Sequence, residues 1–454
     1  MSPPVTVRVM VPVTVIVVTR GRPGPLRRCL TGLMQVRHPA SEVLVVGDAS
    51  GVAVAADFPV RTLGFDRPNI AAARNAGLSV AAGQVVAFLD DDAVPEPLWL
   101  SHLTAPFARA DVAAAGGTVL GTNGISLQWA GGAVNRALRL LPLPAPEAPG
   151  IYRSAPDCAI EVKGTNAAYR RNLLLAMGGF DPALSYYLDE TELNLRLGRA
   201  GALVAFVPEA RVWHDKAAAS YRRVDRVPAD LGAIGRSSAV TLRRGGQAVE
   251  AARDRLRAVE EAKVGGHRRA GRLTAAEAAR LLGGWEQGFA EGLAMDLPEF
   301  QALPDAPGAF APLAPQEAPH VVIAGWSWRA RALRAKAAAQ VAAGAVVTLV
   351  LWSPTARRQR RRFTGAGVWE ITGGLYGKSD RSDPSARFWT FAKRLAREVE
   401  RTADGFPDKA PLSPYDCQRG MSNRDCADLR ISTDAPPAAP SCLLPRTGPR
   451  PRNN

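Results

Sequence analysis

Three short apolar runs rich in β-branched residues, Val13 to Val18, Glu42 to Val46 and Val85 to Leu89, alternate with two stretches of helical spacing. This alternation limits the possible folds more than any other feature of the chain. Pro25 to Leu33 places Leu26, Leu30 and Leu33 on one helical face, and Ala71 to Ala82 reads as a second helix. Strands this apolar have no wet face and must be covered on both sides, so strand, helix, strand, helix, strand implies an α/β fold with a doubly covered parallel sheet. In such sheets ligands bind beyond the carboxyl ends of the strands. The third run leads there directly, into Asp90, Asp91 and Asp92.

Beyond this region the pattern changes. Asp230 to Met295 is rich in Ala, Arg and Glu and reads as helix, with a capping box at Thr274 and Glu277. Pro298 to Pro319 holds six prolines in 22 residues and reads as a linker. His320 opens a further strand, followed by an Ala/Arg helix and the strand Val346 to Leu351, a βαβ-like unit. After Phe406 the chain is rich in Pro, Ser, Arg and Asp without periodicity, as in a disordered tail. The expected division is 1–228 for the α/β domain, 229–297 for a helical extension, 298–319 for the linker, 320–405 for a basic α/β module and 406–454 for the tail. A chain of 454 residues has length for two or three domains.

The net charge of +15 favours polyanionic neighbours. Residues 320–405 carry 16 Lys and Arg against 6 Asp and Glu, so most of that excess lies in the C-terminal module. Five cysteines without a close pair argue against a disulfide framework and a cysteine zinc site. No apolar run reaches the roughly 20 residues of a membrane-spanning helix, and the opening residues lack the features of a signal peptide. A cytoplasmic protein is expected, with any membrane contact peripheral and at the inner face.

Along a strand, alternation sets Asp90 and Asp92 on one side and Asp91 on the other. Three adjacent carboxylates repel one another, and a divalent metal carrying a polyphosphate would relieve the repulsion; an exposed acidic turn would also relieve it. Upstream, Arg74 and Asn75 lie on the helix preceding the acidic strand and would face a nucleotide, or else serve as a solvated arginine and a helix-end hydrogen bond. Downstream, Tyr187 to Arg196 reads as a helix whose first residues include Asp189 and Glu190, placed either for chemistry or to complement the helix dipole.

Taken in order, these segments resemble family 2 glycosyltransferases of the GT-A fold over roughly residues 12–221. The resemblance is carried by Val15 to Arg20, Pro68 to Gly77, Phe88 to Asp92, Gly164 to Arg171, Gly178 to Asp181, Leu188 to Leu197 and Val207 to His214. It implies a nucleotide-diphosphate sugar as donor, Mg²⁺ or Mn²⁺ as cofactor, and transfer with inversion at the anomeric carbon to a glycan or lipid-linked acceptor. Asp90, Asp92 and His214 would hold the metal. Glu190, with Asp189 as the alternative, would be the base that takes the acceptor proton. Thr19, Asp48, Arg74, Asn75, Asp90, Asp91, Thr165 and Asn166 would bind the donor, with Gly164 allowing close backbone approach.

One departure from the family pattern concerns the second strand. It is followed by Gly47, Asp48, Ala49 and Ser50, where members usually carry an Asp pair or Asp-Asn, so Asp48 alone would read the nucleotide. The resemblance leaves the C-terminal module unassigned. Arg357 to Arg362 is a basic run that phosphates or solvent would satisfy, and Gly373 to Ser379 ends like a phosphate loop with its outer glycines one residue too close. Two other classes fit parts of the sequence. A sugar nucleotidyltransferase would need a Gly-rich phosphate loop near its first strand, and a catalytically degenerate basic binding protein would bind polyanions without donor affinity; nucleic acid is not the expected partner.

Overall fold

The computed structural model describes residues 11–407 apart from 144–146, 216–222, 224, 247–248, 315–316, 318 and 381. The described residues fall in one compact unit. The expected tail lies outside them from residue 408 onward, and Phe406 just before it is buried in the fold.

The first body is a mixed, mostly parallel sheet. Its elements in chain order are β1 (Val13–Thr19), α1 (Pro23–Leu33), β2 (Ser41–Gly47), α2 (Ala49–Ala55), β3 (Arg61–Gly64), α3 (Ile70–Val80), β4 (Val85–Asp90), β5 (Val112–Gly121), β6 (Ala167–Arg170), α4 (Asp189–Arg199) and β7 (Leu203–His214). Across the sheet the order is β7-β5-β6-β4-β1-β2-β3, with the short strand Gly150–Arg153 outside β7. β1 to β4 are mutually parallel, as the alternating pattern requires. β6 runs antiparallel between β4 and β5.

Burial explains why these runs became strands. In β1, Val13, Val15 and Val17 pack with Leu26 and Leu30 of α1 on one face, while Ile16 packs with Ala71 and Leu78 of α3 on the other. Both faces are dry, so the strand sequence is apolar throughout. α3 opens on Asn69, whose side chain caps it by accepting from Ala72 N.

Three helices follow, α5 (Gly232–Gly245), α6 (Val249–Arg269) and α7 (Ala275–Ala294), around a core that includes Leu281, Trp285 and Phe289. The capping box at Thr274 and Glu277 is formed. The Pro-rich segment has no regular element among its described residues, yet it is not a free spacer. Leu303, Ala306, Gly308 and Leu313 donate backbone hydrogen bonds to Leu175, Ser79, Val80 and Ser41, and Ala311 N donates to Glu42. The segment is thus strapped to the first body. Prolines suit such a strap because they pre-set an extended chain and lower the entropy lost in ordering it.

The last body contains β8 (His320–Trp326), α8 (Ala330–Ala342), β9 (Val346–Ser353), β10 (Arg360–Phe363), β11 (Val368–Gly374) and α9 (Phe391–Thr402). Its sheet order is β8-β9-β11-β10, with only β10 antiparallel. It docks on the first body through the beginnings of its parallel strands. Val346, Phe363, Trp369 and Phe406 form one cluster with Val94 and Trp213, and Trp369 Nε1 donates to Gln35 Oε1 at 2.9 Å. Gly374 and Gly377, the last glycines of the phosphate-loop-like run, are pressed against the backbone of residues 355–357 and serve packing. Among the described residues no helix is long and apolar enough to cross a membrane.

Candidate donor and metal site

β4 delivers Asp90 to the carboxyl edge of the sheet, and the chain turns at once through Asp91 and Asp92. β7 delivers His214 to the same point, paired with Ala93 on one side and Gly121 on the other. One ligand atom each from Asp90, Asp92 and His214 lie within 4.8 Å of one another. His214 Nε2 is 3.1 Å from Asp92 Oδ1 and 4.0 Å from Asp90 Oδ2. These separations are short enough for the three groups to reach one cation.

The histidine is held in place by a residue that the motifs do not contain. Gln128 Nε2 donates to the His214 carbonyl at 2.9 Å, which leaves Gln128 Oε1 to accept from His214 Nδ1 at 3.0 Å. This contact turns Nε2 towards the two carboxylates.

Asp91 departs from the expected alternation. The strand ends at Asp90, so Asp91 is not carried to the opposite face but lines the same cleft. It accepts from Thr19 Oγ1 at 2.7 Å and pairs with Arg22, which also reaches Asp92 at 2.9 Å. Burial pushes the Asp91 carboxyl up to about 7, against the pull of Arg22.

A second acidic pair faces the cleft from the start of α4. Asp189 is buried and pairs with Arg74 on α3, and the same guanidinium reaches Asp90 at 3.3 Å. One arginine thus ties the two acidic groups together. Its seat depends on Gly164, where an added Cβ would meet the guanidinium at 2.5 Å. The backbone approach that sequence assigned to a ligand is therefore made by Arg74.

Asp189 and Glu190 are electrostatically unequal. Burial, with the neighbouring Glu190, pushes Asp189 up to about 7 despite Arg74. Burial also works against ionised Glu190, but Lys163 and Arg74 outweigh it and hold this carboxyl below its ordinary value. Lys163 lies 2.5 Å from Glu161 and over the ring of Trp129. No side-chain cap is formed at the start of α4, so these carboxylates are not spent as N-caps.

Thr165 donates to Asp90 Oδ2, on the cleft side. Three other expected donor residues are turned elsewhere. Asn75 is buried and clasps Phe180, donating to its carbonyl at 2.7 Å and accepting from its N–H at 2.8 Å. This fastens the turn at Gly178 and Gly179, both at positive φ, where a Cβ on Gly179 would strike Asn75. Asn166 is fully buried, donates to the carbonyls of Thr118 and Ala210, and accepts from Trp99 Nε1. Asp48 caps α2 through Gly51 N and holds Gly21 N at 2.9 Å, outside the cleft lining. Asn75 and Asn166 are thus spent on structure, while Asp48 is only partly buried and bonds Gly21, a residue of the cleft lining.

Between the two acidic groups lies a cleft of about 690 Å³, within the usual size of small-molecule sites. Thr19, Arg20 and Gly21 line one side and Arg67 to Ile70 another, with Tyr187 to Glu190 and His214 completing it. Arg22, Gln128 and Lys163 are the functional candidates that sequence reading missed. None carries a local signal, because each acts on a partner at least 27 residues away in the chain.

Residues 14–175 match the description Glycosyl transferase family 2. The matched segment contains Asp90 and Asp92, whereas Asp189, Glu190 and His214 lie beyond it. The O-antigen biosynthesis protein RfbC of Myxococcus xanthus is 29% identical over 232 residues, covering 48% of this chain and 18% of that protein. The pre-mycofactocin glycosyltransferase of Mycobacterium tuberculosis is 31% identical over 215 residues, covering 45% of this chain and 42% of that protein. The chain thus spans less than half the length of these curated relatives. Among solved structures, GalNAc-T7 with UDP, GalNAc and Mn²⁺ aligns with a TM-score of 0.42 at 19% identity, over 52% of this chain and 48% of that one. The matched residues lie within the mixed, mostly parallel sheet, and the helical and smaller sheet segments follow them.

Proposed function

We propose that the protein is an inverting glycosyltransferase that moves a sugar from a nucleotide-diphosphate donor to a hydroxyl of a glycan or lipid-linked acceptor. The observation that carries this reading is the convergence of Asp90, Asp92 and His214 at one end of a cleft whose other wall presents Glu190. The two carboxylates suit Mn²⁺ or Mg²⁺, and the Gln128 contact at Nδ1 leaves Nε2 facing the same point. A divalent cation there would stabilise the negative charge that develops on the departing diphosphate.

The chain's own residues do the rest. Glu190, held ionised by Lys163 and Arg74, accepts the proton of the acceptor hydroxyl. The freed oxygen attacks the anomeric carbon from the face opposite the diphosphate, and the bond from that carbon to the phosphate oxygen breaks. Arg74 fixes Asp90 and Asp189 in one frame, so the acidic groups at the two ends keep their relative position. Arg22 and Thr19 hold Asp91 and restrain the acidic turn.

The test is a screen of UDP-, GDP- and dTDP-sugars for donor hydrolysis and binding, with and without Mn²⁺, on wild type, Asp92→Ala and Glu190→Gln. The reading expects a metal-dependent response to one donor class, binding lost in Asp92→Ala, and binding without turnover in Glu190→Gln. No response to any donor would sink it.

A further inference from the structure

The small C-terminal sheet has one edge committed and one edge bare. The beginnings of its parallel strands pack against the first body, as described above. Residue pairing sets Trp326 beside Trp352 and Trp352 beside Gly373 at the other ends of those strands, so the loops that follow them share one edge. Strands of seven or eight residues at about 3.3 Å each place that edge about 25 Å from the docked one.

Two kinds of group collect there. Trp328 is 66% exposed, stacked on Trp326 with ring centroids 4.9 Å apart, and Phe388 is 94% exposed, leaning on Tyr376 just past β11. These are the two most exposed large apolar side chains among the described residues. Beside them Arg329 and Arg331 follow β8, and Arg357 and Arg358 follow β9; all four are exposed, and none has an ion-pair partner among the described residues. The nearby acids offer them none, since Asp380 pairs with Arg401 and Asp383 with Arg397.

We propose that this edge is a docking surface for an anionic phospholipid membrane. Exposed rings immersed at the boundary of headgroups and acyl chains, flanked by cations that meet lipid phosphates, are the pattern of interfacial binding. A bare phenylalanine has no atom with which to bind a sugar hydroxyl, and a neutral glycan gives four unpaired arginines no counter-charge. Residues 408–454 carry seven basic and five acidic residues and bring no net negative charge. Docking by the far edge leaves the donor cleft on the body behind it, and the inference stands apart from the reading of that cleft.

The experiment is co-sedimentation of the full chain with phosphatidylcholine vesicles and with vesicles containing 30% phosphatidylglycerol, without any nucleotide sugar. Binding to the anionic vesicles alone is expected, weakening as salt rises. The pair Trp328→Ser and Phe388→Ser should lower the partition coefficient about tenfold, and Arg357→Glu with Arg358→Glu at least tenfold, each with unchanged thermal unfolding because these side chains are exposed. Equal binding to both vesicle types would overturn the proposal. So would binding that survives loss of both rings and vanishes only with the arginines, which would mark a general polyanion patch. A concentration-dependent doubling of mass in light scattering, abolished by Phe388→Ser, would assign the edge to a second copy and overturn it as well.

Discussion

Arg74 is the residue whose removal the account specifies most fully. It is 4% exposed, pairs with Asp189 at 2% exposure, and reaches Asp90. Breaking a buried pair by removing one partner costs about 3–5 kcal/mol, since the remaining charge stays buried without compensation. Arg74→Met keeps most of the apolar stem, so packing on Phe88 and Phe180 is largely retained and the loss reports the charge. Asp189 can discard its charge by binding a proton, which places the expected loss near the lower end, at about 3 kcal/mol at pH 7.5. The sign with pH follows. A carboxyl whose folded value of about 7 lies above its unfolded value binds its proton more tightly in the fold, so stability falls as pH rises between the two. Without Arg74 the folded value climbs further, and the gap between variant and wild type should widen from pH 6 to pH 8.5. Urea unfolding of wild type, Arg74→Met, Asp189→Asn and the double variant measures this, with a coupling of about 2 kcal/mol expected between the two sites. Additive single losses, or a gap that narrows as pH rises, would refute the reasoning.

Other consequences are open to direct measurement. Gln128→Ala frees the His214 ring to rotate and should weaken Mn²⁺ binding about 10–100-fold in calorimetry, while thermal unfolding in the absence of metal changes little. Lys163→Met withdraws the cation that holds Glu190 down, so the acid limb of the kcat profile should move to higher pH; a downward shift would contradict the assignment. His38 is buried and its ring is held down to about 4, below its unfolded value of about 6.5. The unfolded chain binds the proton more readily, so His38 costs stability as pH falls from 6.5 towards 4, by up to about 3 kcal/mol. His38→Gln should flatten that part of the stability curve.

Much of the fold was legible because its signals are local. Strands buried on both faces are mostly apolar, and the centres of β1, β2 and β4 are, with the buried Thr14 and Glu42 bonded to each other. The acidic turn was legible as well, since Asp90 and Asp92 follow such a strand directly. Orientation was less accessible. Arg74 and Asn75 are neighbours on α3, but about 100° of helical rotation sends one into the cleft and the other to Phe180. Thr165 and Asn166 diverge in the same way as the chain extends into β6, one towards Asp90 and the other towards Trp99. A polar residue inside a motif therefore identifies a place in the fold without fixing the side it serves. The Pro-rich strap and the roles of Arg22, Gln128 and Lys163 depend on contacts between distant segments, and no periodicity records those.

The central claim is that Asp90, Asp92 and His214 hold a divalent cation together with a nucleotide diphosphate. Titration of Mn²⁺ followed by electron paramagnetic resonance tests it directly, with UDP, GDP and dTDP added in turn to wild type and to Asp92→Asn. The account predicts that one nucleotide removes the signal of free Mn²⁺ at least tenfold more effectively in wild type than in the variant. An unchanged signal in wild type with every nucleotide, or equal loss in both proteins, would contradict it.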